Sequence, residues 1–168
     1  MIPRVLCAAF LVTLAYVQAA ILPLVGVLGI MPNLLLVTLL LWSMAREPRE
    51  GLLWALAAGL FLDLLSQSRL GVNALALLPV VAIGWASRSR YFRSGLLFPL
   101  VMTVAATLAH DTTRAAVLAA TGAAVAPVGV ARLGILGALL NLLVVPPLYG
   151  VVHVLDSWIG RSEAHARA

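Results

Sequence analysis

Residues 31–50 read Met31-Pro32-Asn33-Leu34-Leu35-Leu36-Val37-Thr38-Leu39-Leu40-Leu41-Trp42-Ser43-Met44-Ala45-Arg46-Glu47-Pro48-Arg49-Glu50. An apolar run from Met31 to Ala45 ends in four charged residues around a proline, and a second apolar run begins at once at Gly51. The first run has no polar stripe to offer water, so it does not read as a surface helix of a soluble domain. Arg46 suits the negative C-terminal end of one helix, and Glu47 and Glu50 precede the positive end of the next. Pro48 keeps the two from fusing. The stretch therefore reads as two membrane-buried helices joined by a charged turn.

The rest of the chain repeats this pattern. Of 168 residues, 63% are hydrophobic and only 10% charged, with a mean hydropathy of +1.09. Soluble domains carry about 25% charged residues to cover their surface, so here the apolar side chains must face lipid. The net charge of +5 comes from 11 basic residues, all arginine, scattered between apolar runs rather than gathered on one face. That argues against a nucleic-acid partner and for positive loops at an anionic membrane surface. Cys7 is the single cysteine and excludes an intrachain disulfide; it reads as a packing residue. The first apolar segment also resembles a signal peptide with Val17-Gln18-Ala19 as a cleavage site, but its length and the apolar segments that follow favour an uncleaved helix.

Six apolar segments emerge, Val5 to about Leu22, Met31 to Ala45, Gly51 to Leu65, Gly71 to Ala86, Leu96 to Ala120 and Leu133 to Leu155. They predict an all-α integral membrane protein, a six-helix transmembrane bundle in one domain over residues 1–160 with a cytoplasmic tail at 161–168. Segments two to four have 15 or 16 residues and cover about 22–24 Å, short of the roughly 20 residues usual for a span. Local thinning of the bilayer or helical continuation into the flanks makes up the difference; four spans plus a buried hairpin is the alternative.

Placing the N-terminus inside puts Arg4, Arg46, Arg49, Arg88, Arg90, Arg93, Arg161 and Arg167 in the cytoplasm, with Arg69, Arg114 and Arg132 toward the other side. This is the asymmetry of the positive-inside rule. Trp42, Trp54, Trp85 and Trp158 fall at the same cytoplasmic interface, where indole rings prefer to sit. Both termini are thus expected in the cytoplasm. The first outer loop, Pro23–Pro32, is apolar and is expected to lie in the interface or turn back into protein, offering a partner a greasy surface.

Polar residues inside these segments are the candidates for function. Gly51, Ala55, Gly59 and Asp63 recur every four residues, a small-residue face that admits a close neighbour and ends in a carboxylate. Asp63 has no base nearby in sequence, and a membrane carboxylate needs a partner. A satisfied packing-face carboxylate is the first reading and a ligand or proton site the second. In segment five Thr103, Thr107, His110, Asp111 and Arg114 share one helix side. Asp111 and Arg114, three apart, are spaced to pair, and such a face must look into protein or a hydrated cavity. A closed structural network joined to Asp63 or Asn141 is expected over a ligand pocket. Segment six presents Gly134, Gly137, Ala138 and Asn141 as a second close-packing face, before Pro146-Pro147, which should kink the helix. No phosphate loop, metalloprotease, nucleophile-elbow or paired-cysteine motif is present in the sequence, so the reading is not an enzyme and calls for no cofactor or metal.

Three stretches carry a family resemblance. They are Met31-Pro32-Asn33-Leu34-Leu35-Leu36-Val37, Arg46-Glu47-Pro48-Arg49-Glu50-Gly51, and Gly59-Leu60-Phe61-Leu62-Asp63-Leu64-Leu65-Ser66 followed by Leu70-Gly71-Val72-Asn73-Ala74-Leu75. Over about residues 31–85 the chain resembles the rod shape-determining protein MreD family. Asn33 stands where the family's aspartate is expected, and Arg69 is more polar than expected. The resemblance implies a non-enzymatic scaffold of the bacterial cell-elongation complex in the inner membrane, supporting side-wall peptidoglycan synthesis. Its implied partners are MreC, the RodA glycosyltransferase with its paired transpeptidase, the MreB filament system and membrane lipids. It also implies a fold similar to the substrate-binding subunits of energy-coupling-factor transporters, and hence an alternative function as a vitamin-type transporter subunit.

Overall fold

The computed structural model describes residues 2–25, 30–66, 68–91, 95–123 and 127–167; side chains are described within 7–24, 30–66, 68–89, 95–123 and 134–158. Helix α1, Ile2–Tyr16, continues through a π-helical turn at Val17–Ile21 into a short segment, Leu22–Val25. The sequence predicts a stop at Pro23. Instead the helix passes through it, and the widened turn lies where proline's missing N–H breaks the regular ladder. Then come α2 at Leu34–Ala45, α3 at Pro48–Leu65, α4 at Val72–Ala86, a one-turn helix at Arg88–Tyr91, α5 at Leu97–Ala120 and α6 at Pro127–Arg167. The sixth helix therefore runs well beyond Leu155, through Pro146-Pro147 and the expected tail.

Helix α2 is the axis of the bundle. Every residue from Leu35 to Ala45 is buried, as an all-round apolar helix requires. Its 12 residues cover only about 18 Å. Asn33 caps its N-terminus, accepting at Oδ1 from the Leu36 amide at 2.9 Å. Its other end is tied to α6, where Arg46 Nε lies 2.7 Å from Asp156 Oδ1. Asn33 also meets Asn141. Contacts 33 to 141 and 46 to 156 advance in the same direction along both helices, so α2 and α6 run parallel, with three helical passes between them in sequence.

Among the helices around α2, α3 turns mostly small residues inward and large apolar ones outward. On α3, Gly51, Ala55, Ala58, Gly59, Leu62 and Asp63 are buried, while Leu53 and Leu64 are 67% and 65% exposed. A water-soluble helix would have its polar residues there. A Cβ added to Gly59 would lie 2.4 Å from Ala74 Cα, so the backbones of α3 and α4 meet at that glycine. Gly84 brings α4 equally close to Ser43 and Leu40 of α2.

Among the described residues two segments, Cys7–Leu24 and Gly134–Trp158, are long and apolar enough to cross a membrane, and most of each faces outward. The helices at Leu34–Ala45 and Val72–Ala86 are apolar but shorter. The expectation for the tryptophans needs one correction. Trp42 is 6% exposed and belongs to the core, because α2 is enclosed on all sides, whereas Trp85 and Trp158 lie on the outer surface at 54% and 61%.

Candidate functional site

The polar residues singled out from the sequence gather at the end of the bundle carrying the 66–71 turn, and they form two nodes of different kind. In the first, Asp63 ends the inward face of α3 and is 1% exposed. Its Oδ1 accepts from Ser68 Oγ at 2.7 Å, the Asn73 amide at 3.0 Å and Asn73 Nδ2 at 2.8 Å. Its Oδ2 accepts from the Gly71 amide at 2.8 Å. Four donors surround the carboxylate, two of them backbone amides at the positive start of α4, where a negative charge is favoured. Gly71 can point its amide there because it adopts φ +91, a conformation that costs other residues energy. Asp63 thus closes the α3–α4 turn, and the ligand reading of this carboxylate has no free oxygen to rest on.

The second node begins at the N-terminus of α2. Gln18, in the π turn of α1, donates from Nε2 to Asn33 Oδ1 at 2.9 Å and accepts at Oε1 from the Leu35 amide at 3.0 Å. The Asn33 amide donates to Asn141 Oδ1 at 2.6 Å, and Asn141 Nδ2 donates to Thr107 Oγ1 at 2.9 Å. Four helices are joined by this chain of amides, each satisfying the next, as buried polar groups demand. Asn33 serves here where aspartate was expected, since its carbonyl oxygen caps as a carboxylate would. Gln18 and Asn33 were not among the sequence candidates. Pro32-Asn33 before an apolar run was a readable cap signal, but Gln18 acts through a π turn that no sequence spacing announces. Thr103 is buried, its hydroxyl donates to Pro99 O in its own helix at 2.8 Å, and it meets the network only through its carbonyl, which accepts from Thr107 Oγ1 at 2.8 Å.

Beyond Thr107 the chain opens into a cavity of about 420 Å³, lying over the N-terminus of the short α2. Here the expected pairing is corrected. Asp111 Oδ1 lies 2.9 Å from His110 Nδ1 rather than pairing with Arg114. Among the described residues Arg114 makes no ion pair or hydrogen bond, and it is exposed. His110 is buried and needs a partner for its ring nitrogen, and the adjacent carboxylate is at hand. The long arginine is free to extend outward. His110, Asp111, Arg114, Asn141 and Thr107 all line the cavity, with Leu36, Leu62 and Leu118 among its apolar walls. Ile30, Met31 and Pro32 border it as well, so this part of the apolar first loop turns back toward the bundle.

The α6 glycines divide between the two expected roles. A Cβ at Gly134 would meet Asp111 Oδ2 at 3.3 Å, a tight approach to α5. Gly137 is corrected from close packing to cavity wall, with nothing within 4 Å of where its Cβ would be. Helix α3 shows the packing role in full, Gly51 lying against Ser43 and Val81 and Ala55 fully buried.

The model of the family described as rod shape-determining protein MreD matches residues 1–154. No curated protein matches the chain, and no solved structure does.

Proposed function

The chain belongs to the MreD family of rod shape-determining proteins, and from that premise we propose that it is a scaffold subunit of the cell-elongation complex, holding MreC at the inner membrane. An inner-membrane location follows from the family together with the apolar helices. In the proposed arrangement all six long helices span, both termini are cytoplasmic, and the end bearing Arg46, Arg49 and Arg88 faces inward. The observation that carries the reading is the family match over nearly the whole chain, which speaks for shape determination. The Asp63 node and the Gln18–Asn33–Asn141–Thr107 chain support it, because they expend their hydrogen bonds on holding helices together, as a scaffold requires.

In this reading MreC docks on helix faces at lipid depth and on the first outer loop. RodA, its paired transpeptidase and the MreB system join through the assembled complex to support side-wall peptidoglycan synthesis. A transporter subunit draws instead on the cavity, but a cavity of this size suits either function, and the family match gives the scaffold precedence. Affinity purification of the full chain from bacterial membranes in mild detergent tests the proposal. MreC is expected to co-purify in stoichiometric amount. Recovery of the protein alone from cells that contain MreC overturns it.

A further inference from the structure

The cavity over α2 has a composition that neither node explains. Its described lining carries two formal charges, Asp111 and Arg114, of opposite sign and one helical turn apart on α5. They do not neutralise each other by contact, because Asp111 is engaged by His110 and Arg114 has no partner among the described residues. His110 is 4% exposed, and beyond the bond at Nδ1 its ring makes no hydrogen bond among the described residues, although it lines the cavity.

We propose that this cavity binds the headgroup of an aminophospholipid, with the phosphate on Arg114 and the ammonium on Asp111. The charge pattern selects a zwitterion over a net anion, since one fixed cation and one fixed anion face the same space. Arginine's planar donor fork suits a phosphate. Asp111, 30% exposed with Oδ2 making no hydrogen bond among the described residues, offers an acceptor to an N–H donor, as does the second ring nitrogen of His110. The apolar walls formed by Leu36, Leu62 and Leu118 suit the glycerol and first methylenes of a lipid better than a fully water-soluble molecule. Gly137 keeps the site open, because any larger side chain there would project into the space.

The test uses the delipidated full chain in detergent, its melting temperature followed with added phosphatidylethanolamine, phosphatidylcholine, phosphatidylglycerol or free phosphoethanolamine. Phosphatidylethanolamine is expected to raise the melting temperature by about 5 °C at saturation. Phosphatidylcholine, whose quaternary ammonium has no N–H to donate, and phosphatidylglycerol should give less than half that shift. Arg114→Gln and Gly137→Leu should abolish the shift while leaving the lipid-free melting temperature within about 2 °C, since Arg114 is exposed and Gly137 has room. Equal shifts from all three lipids, or shifts unchanged by both substitutions, overturn the site. An equal shift from free phosphoethanolamine overturns the lipid as its source.

Discussion

Asp63 and Asp111 are two carboxylates at the same end of one bundle, and their surroundings differ completely. Asp63 is sealed, with four donors on its two oxygens. Asp111 is partly exposed, holds one histidine and borders a cavity with an arginine that has no partner among the described residues. The first arrangement expends the carboxylate's hydrogen-bonding capacity on the fold; the second leaves capacity over. A charge at membrane depth does not by itself announce function. The count of its satisfied oxygens does.

Substitution at Asp63 should show the contrast most strongly. Asp63→Leu strands the Gly71 and Asn73 amides at the start of α4, at about 3–5 kcal/mol. Most of the folded protein recovered in detergent should be lost, as read by size-exclusion yield and melting temperature. Asp63→Asn retains one acceptor oxygen and should lose clearly less. Equal and complete loss with both would mean the charge itself is obligatory.

Gly59→Val tests the backbone contact that seats the sealed node. Its Cβ would fall 2.4 Å from Ala74 Cα, and separating the helices should cost about 1–3 kcal/mol. An unchanged melting temperature would show that α3 and α4 are not packed there. Asn141→Leu removes the link from α6 to Asn33 and Thr107, with a smaller expected loss of about 1–2 kcal/mol. Arg114→Gln, on the open node, should move stability by less than about 0.5 kcal/mol. A large loss there would show that Arg114 belongs to a closed network after all.

Much of this was legible in the sequence. The six helical segments follow from apolar runs and their punctuation, and the repeat Gly51, Ala55, Gly59, Asp63 marked the inward face of α3 because helical periodicity is a local property. The partners were harder. Asp63 is satisfied by residues 5 to 10 positions later, through a turn whose shape depends on Gly71 at positive φ. Asn141 meets Asn33 across 108 residues, a pairing set by the parallel course of α2 and α6 and not by any local spacing. The Asp111–Arg114 expectation failed for a related reason. Spacing permits an i,i+3 pair, but the buried imidazole of His110 has the more pressing need for that carboxylate. The tryptophan rule likewise missed Trp42, because a helix buried on every side has no lipid interface to offer.

The proposed topology puts the open node and the Arg46–Asp156 tie at opposite ends of a membrane bundle, with the open node outward. Single cysteines at Arg114 and at Ser157, each in a Cys7→Ala background, test this directly with a membrane-impermeant maleimide applied to spheroplasts. Both positions are exposed on the protein. Arg114→Cys should react from outside, and Ser157→Cys only after the membrane is permeabilised. Labelling of Ser157→Cys in sealed spheroplasts, with Arg114→Cys protected until permeabilisation, would contradict the account.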